Sequence, residues 1–213
     1  MQKNLLSNIN LYQHHLDLEK TYAEQFQAFG FSVKSVGWIS KLTQHKRFEA
    51  LLSFVQWQGE SILDVGCGLG DLYHYIKFNK INVMYSGCDM NSNFVDAAKT
   101  AYPNGAFFTW NLYTEKPLAQ KPDYILGSGL FNYRIPNFDQ LMYLSTGIHK
   151  LLSLANKGVI FNVLHYNRKT DHLNKSQFYY YQEEELIQLL AEVPFYELKK
   201  GYLDNDISVC VLK

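Results

Sequence analysis

The sequence predicts an α/β protein: a mostly parallel, doubly wound sheet preceded by a helical extension. Three observations carry that prediction. From residue 60 short apolar runs alternate with amphipathic helical segments, the pattern of a parallel sheet with helices on both faces. The first apolar run empties into a loop with alternate glycines, "ILDVGCGLGD" at 62–71. The chain closes on two strand-like runs about the polar "DND", which read as a β-hairpin and require an antiparallel final strand.

In "NLYQHHLDLEKTYAEQFQAF" the positions Leu11, Leu18, Tyr22, Phe26 and Phe29 share one helical stripe, and Gly30 is placed to stop the helix. "FSVKSVGW" is a connector. A second helix, "SKLTQHKRFEALLSFV", is capped by Ser40 and turns Leu42, Phe48, Leu51, Leu52 and Val55 inward. The alternation then begins. "SILDVG" is the first strand and "DLYHYIKFN" its helix; "VMYSGCDM" and "NSNFVDAAKTAY" repeat the unit, the helix stopping before Pro103. "AFFTWNL" and "DYILGSG" are the third and fourth strands, and "FDQLMYLSTGIHKLLSLA" is a helix. "KGVIFNVL" is the fifth strand, and "QEEELIQLLAEV" is a helix whose leading acids suit the dipole at its N-terminus. "FYELKKGYL" and "ISVCVLK" make the hairpin. The expected division is a helical extension over 1–58, acting as a lid, and a sheet domain over 59–213.

Composition narrows the classes. The 213 residues are 47% hydrophobic and 19% charged, a globular balance. Lys plus Arg and Asp plus Glu both number 20, so no global attraction draws the chain to nucleic acid or an anionic membrane. No apolar run approaches the ~18 residues of a membrane span, and the first residues lack the apolar segment of a secretory signal. Cys67, Cys88 and Cys210 lie in apolar, strand-like contexts without metal-ligand spacing; they read as reduced core residues of a cytoplasmic protein. The seven histidines have no metal-ligand pattern either, and no metal is expected.

The glycine loop defines the ligand. A dinucleotide fingerprint, G-x-G-x-x-G, sets a pyrophosphate on a helix N-terminus. Here Gly66, Gly68 and Gly70 alternate and Asp71 stands where the last glycine belongs. Asp64, at the strand end beside the loop, would repel a pyrophosphate and suit an ammonium group. Asp89 ends the second strand, 19 residues after Gly70, where a carboxylate accepts from both hydroxyls of a ribose. NAD-binding folds use an acid there too; the combination with Asp64 is what discriminates. The ligand is nucleoside-like, cationic at one end and free of phosphate.

On these residues the chain resembles the class I, Rossmann-like S-adenosylmethionine-dependent methyltransferases of small-molecule type, over about residues 37–213. "LDVGCGLG" is similar to that family's first motif and "GCDMNSNFVDAAK" to its second. "FFTWNL" corresponds to the segment that reaches the adenine, and "DYILGSGLFN" to the fourth strand and its active-site end. The resemblance implies a strand order of 3-2-1-4-5-7-6 with strand 7 antiparallel, and S-adenosyl-L-methionine as cofactor. It places Gly66, Cys67, Gly68 and Gly70 along the methionine and ribose, Asp64 on the amino group, Asp89 on the ribose and Met90 on the adenine ring. Asn111, Leu112 and Ser128 complete that set. Many family members carry an acid where this chain has Asn111; its carbonyl accepts the adenine amino proton without charge assistance.

The sequence "GSGLFNYR" (127–134) lacks the Asn/Asp-Pro-Pro-Tyr pattern of enzymes that methylate DNA amines or glutamine side chains. A small-molecule acceptor is therefore the expected partner, rather than nucleic acid or a membrane. Two segments are expected to face it. One is "GWISKLTQHKRF", with Trp38, Gln44 and Arg47 near the methionine end and Arg47 as a carboxylate partner; the alternative makes Trp38 a core anchor and Arg47 a solvated helix residue. The other is "LHYNRKTDHLNKSQFYYY" (164–181), a connection at the C-terminal end of the fifth strand carrying His165, Tyr166, Arg168, Asp171, His172 and a tyrosine run. Its alternative is an ordinary loop whose aromatics pack on the sheet rim. Methyl transfer from a sulfonium is an in-line displacement that chiefly needs alignment and exclusion of water. If the acceptor must lose a proton, Tyr133 and His165 are the candidate catalytic bases. A hydride-transferring oxidoreductase and a catalytically silent cofactor-binding protein are the rival readings.

Overall fold

The computed structural model describes residues 2–32, 34–37, 40–113, 118–167 and 177–213, the side chains of 2–12 and 15 apart. Two helices, α1 (Gln2–Phe29) and α2 (Lys41–Leu52), precede β1 (Glu60–Val65), α3 (Asp71–Phe78), β2 (Val83–Asp89), α4 (Ser92–Ala101) and β3 (Ala106–Thr109). Then follow β4 (Tyr124–Ser128), α5 (Gln140–Leu154), β5 (Gly158–Leu164), α6 (Glu183–Leu190), β6 (Phe195–Lys199) and β7 (Asp206–Leu212). The seven strands form one sheet in the order β3-β2-β1-β4-β5-β7-β6. β7 runs antiparallel to both β5 and β6, with Phe161 opposite Val209; the other pairs are parallel. Order, direction and hairpin all match the expectation.

The central strands β1, β4, β5 and β7 are buried on both faces, and their two-residue period sorts their residues cleanly. Leu63, Val65, Ile125, Val159, Phe161, Val163 and Val209 join α5 and α6 in one cluster through Leu144, Ile148, Leu151, Leu186 and Leu190. The intervening Ile62, Leu126, Ile160 and Cys210 point the other way, onto Phe48, Leu51 and Leu52 of α2 and onto Leu72 and Ile76 of α3. The free cysteines are all buried.

Three elements differ from the sequence reading. Leu42 is 69% exposed: the buried face of α2 is set by Gln44, Arg47, Phe48 and Leu51, and Leu42 falls off that stripe. Phe29, at the end of α1, is also exposed. β3 ends at Thr109, not at Leu112, because the chain folds over the end of β2. There the Trp110 N–H donates to the Asp89 carbonyl at 3.0 Å, and the Asn111 side-chain carbonyl accepts from the Tyr113 N–H at 2.8 Å, a turn that competes with a strand.

Arg47 is buried too, and its Nε donates to the Asp206 carboxylate at 2.6 Å. Asp206 also accepts from Asn162 Nδ2 at 2.9 Å and from the Tyr202 hydroxyl. This pair ties α2 to β7 and β5. Burial pushes the Asp206 carboxyl up while Arg47 opposes that push. Arg47→Met should therefore cost about 3 kcal/mol, a Tm fall of ~6–12 °C at this chain length. The abandoned carboxylate then prefers to hold a proton in the folded state, so the deficit against wild type should be smaller at pH 5 than at pH 8. Thermal melts at the two pH values check this; a pH-independent loss would mean that Asp206 is not the group left unpaired.

Candidate cofactor and acceptor cavity

Strand order reverses between β1 and β4, and at such a switch point the loops from neighbouring strand ends part to leave a crevice. Asp64 near the end of β1, Asp89 at the end of β2 and Ser128 at the end of β4 all reach the same carboxyl edge of the sheet. A cavity of about 1180 Å³, counted out to the solvent at its mouth, lies over them.

The floor is the loop after β1, which is pinned to β2 through its backbone. Gly66 N–H and Cys67 N–H both donate to the Cys88 carbonyl, at 2.8 and 3.0 Å. Gly68 N–H donates to one oxygen of Asp89 at 2.9 Å, and Asn91 N–H donates to the other at the same distance. Gly68 holds φ +52°, and a Cβ there would stand 2.7 Å from Cγ1 of Val36, so glycine is required on both counts. Gly70, at φ +81°, caps α3; a Cβ there would press on Phe107 and Tyr102 at 3.0 Å.

The two carboxylates are nearly sealed from solvent. Burial pushes the Asp64 carboxyl up to about 7, against a 2.7 Å hydrogen bond from the Tyr85 hydroxyl, and the charges of Asp89 and Asp71 add to the rise. Burial likewise raises Asp89 to about 6, opposed by the backbone N–H groups of Asn91, Gly68 and Met90. Among the described lining residues Asp64, Asp71 and Asp89 carry charge and no lysine, arginine or histidine does. Ser128 Oγ and Gln44 Oε1 are buried there with no partner among the described residues. Such a site favours a ligand that supplies a cation and hydroxyl donors.

The cavity gathers most of the expected residues. Asp64, Gly66, Cys67, Gly68 and Asp89 line it, as do Met90, Asn111, Leu112, Ser128 and Tyr133, and Gln44 from α2. The Asn111 side-chain carbonyl, at the cavity wall, accepts from the Tyr113 N–H of the turn. Gly70 shapes the loop from behind and is not on the lining. Arg47 is a correction: with its guanidinium on Asp206 it faces the sheet and lines no part of the cavity. His165 is another. It sits at the sheet rim, bridged to Tyr181 and donating its backbone N–H to the Asn205 carbonyl at 2.9 Å, away from the lining, and burial lowers the pKa of its imidazole. Trp38, Arg168, Asp171 and His172 lie outside the described residues.

Sequence reasoning expected a lid from residues 1–58 but did not name the α1 side chains that face the cavity. Tyr22 of α1, taken there for a core position, lines the cavity together with Leu18. Its ring packs edge-on against Phe94 at 5.8 Å and Tyr133 at 5.5 Å, and Tyr133 meets Phe178 at 5.0 Å. A tyrosine among Leu and Phe on that stripe was the available signal, since a buried hydroxyl needs a polar neighbour.

Comparison with known proteins agrees with this geometry. No protein-family model matches the sequence. A curated relative, "Putative methyltransferase Rv1506c" of Mycobacterium tuberculosis, is 27% identical over 106 residues, which are 49% of this chain and 63% of that protein. The plantazolicin methyltransferase BpumL, solved in complex with SAH, superposes with a TM-score of 0.61 at 16% identity, over 96% of this chain and 99% of its own. An S-adenosylmethionine-dependent methyltransferase from Mesorhizobium loti gives 0.55 at 14% identity, over 79% and 98%. The PH0226 protein from Pyrococcus horikoshii OT3 gives 0.61 at 13% identity, over 84% and 93%. The chain has the class I, Rossmann-like methyltransferase fold.

Asp64 offers a direct test of the cavity's electrostatics. Its folded-state pKa lies above its unfolded one, so the folded state binds the extra proton, and stability falls as pH rises from about 4 through about 7. Asp64→Asn keeps the oxygen that accepts from Tyr85 and removes the charge. At pH 8 it should stabilise the ligand-free protein by ~1–2 kcal/mol, a Tm rise of ~2–8 °C, with little gain at pH 4. A melt series over that range checks it, and destabilisation at pH 8 would sink the assignment.

Proposed function

We propose that this chain transfers the methyl group of S-adenosyl-L-methionine to a small-molecule acceptor. The observation that carries the reading is the pair of buried carboxylates, Asp64 and Asp89, facing one cavity across a loop that Gly68 keeps clear of side chain. The names of the similar proteins support it, three of the four being methyltransferases by name and one of these solved with SAH. A reducing compartment, the cytoplasm, suits the three buried free thiols.

In this reading Asp64 holds the amino group and Asp89 the ribose hydroxyls, with Met90 against the adenine and the Asn111 side chain facing its amino group. Gly66, Cys67 and Gly68 let the ligand lie against backbone, and Leu112 and Ser128 close the sides. The cofactor, when bound, supplies a methyl group activated on a sulfonium that leaves as a neutral thioether. What the protein adds is alignment and dryness. Tyr22, Phe94 and Phe178 exclude water from above, and α1 serves as the lid. Tyr133, with its hydroxyl 3.4 Å from Gln177 Nε2, is the residue that would orient an acceptor hydroxyl or take its proton.

Calorimetry on the purified protein should find S-adenosylhomocysteine bound at micromolar or tighter affinity and NADH not bound. Asp89→Ala removes two ribose acceptors, each worth ~0.5–1.5 kcal/mol, and also frees the Gly68 N–H. Affinity should fall at least tenfold in a variant that circular dichroism shows to be folded. Asn111→Asp keeps the turn to Tyr113 and adds charge, so it should bind as well as wild type or better. NADH binding in preference to S-adenosylhomocysteine would overturn the reading in favour of the oxidoreductase.

A further inference from the structure

Charge and ring content in the same cavity restrict the acceptor. Four rings from four separate parts of the chain meet in a continuous wall: Phe94 of α4, Tyr22 of α1, Tyr133 beyond β4 and Phe178 beyond β5. Phe26 backs this wall, edge-on to Phe94 at 5.5 Å. Deeper in, Tyr113 and Tyr143 stack at 5.6 Å and also reach the lining. Burial holds Tyr22 well above its ordinary range, so it presents a neutral phenol. The charged groups on the described lining are all carboxylates, and Asp71 is held by Gln44 Nε2 at 3.1 Å. The Arg134 guanidinium lies over the Tyr179 ring at 4.9 Å and lines an adjoining hollow that shares Leu18 and Tyr133 with the cavity.

Aromatic faces attract a cation and repel an anion, and in a dry cavity the effect is larger than at a surface. With Asp64 and Asp89 turned to the cofactor in the reading above, the wall itself sets the preference, and a carboxylate or phosphate on the acceptor would meet its π faces. A planar ring stacks on the wall, and an ammonium gains from the same faces.

We propose that the acceptor is a ring compound carrying an amine, and that the Phe94–Tyr22–Tyr133–Phe178 wall selects it against acids of the same shape. The proposal rests on the methyltransferase reading, and its test separates the two. S-adenosylhomocysteine binding to the full chain is measured first, and its absence removes both. The loaded protein is then titrated with tyramine and with 3-(4-hydroxyphenyl)propanoate, which share ring and linker length and differ in the sign of the terminal charge. Tyramine should bind at least tenfold more tightly. Phe178→Ala should weaken tyramine about tenfold, well beyond any loss of S-adenosylhomocysteine affinity. Equal or tighter binding of the acid, or failure of both probes on protein that holds S-adenosylhomocysteine, overturns the acceptor assignment alone. A loss of S-adenosylhomocysteine affinity as large as that of tyramine in Phe178→Ala would assign the wall to the cofactor and overturn it equally.

Discussion

The rest of the site depends on one short piece of backbone pairing, the loop after β1 bound to the end of β2. Two N–H groups converge on the Cys88 carbonyl and a third on the Asp89 carboxylate. They fix where the glycines run and hold one oxygen of Asp89, the other accepting from the Asn91 N–H. They also keep Asp89 close enough to Asp64 for its charge to raise the Asp64 carboxyl further. Taking two carboxylates out of water without a counter-charge is unfavourable to folding. The protein retains them because the surrounding sheet, with β5 and β7 buried almost throughout, is stable enough to bear the cost. Sites of this kind are strained towards their ligand.

A second network sets the opposite wall. Arg47 holds Asp206, Asp206 holds Asn162, and the other end of the Asn162 amide accepts from the Gly129 N–H at 3.1 Å. Gly129 follows β4 and lines the cavity. One buried chain of polar contacts thus runs from α2 through β7 and β5 to the mouth of the site. Each member is satisfied by the next, the condition under which a buried polar network orders a core instead of weakening it. Asn132 adds a parallel tie, its side-chain carbonyl accepting from Leu164 N–H at 2.9 Å while the residue lines the cavity.

The two N-terminal helices consequently have different roles. α2 is part of the sheet's helical layer, with Phe48, Leu51 and Leu52 in the same cluster as Leu126 and Ile160. α1 lies farther out and offers Leu18 and Tyr22 to the cavity, packing through Phe26 and Tyr22 on Phe94. An aromatic contact of this sort is worth ~0.5–1.5 kcal/mol beyond area burial, which suits the lid role we propose for α1.

The sheet and its cofactor edge were legible in the sequence because their determinants are local. Strand period, the alternate glycines beside Asp64 and the acid ending the second strand are patterns within a few residues, and the backbone carries them to one edge in any parallel αβ repeat. Ser40 as a helix cap was legible for the same reason, its side chain reaching only to Thr43. What tertiary structure decided were the partners across long separations. Arg47 reads equally well as a ligand for a carboxylate until Asp206, 159 residues on, is seen to occupy it. His165 has suitable chemistry, but the turn after β5 leaves it on the rim. Tyr22 and Phe178 share no sequence signal; they join one wall because α1 and the segment beyond β5 cross the same sheet edge. A side chain's type can be read from its letter, whereas its partner is set by packing, and in a dry interior the partner determines what the charge can do.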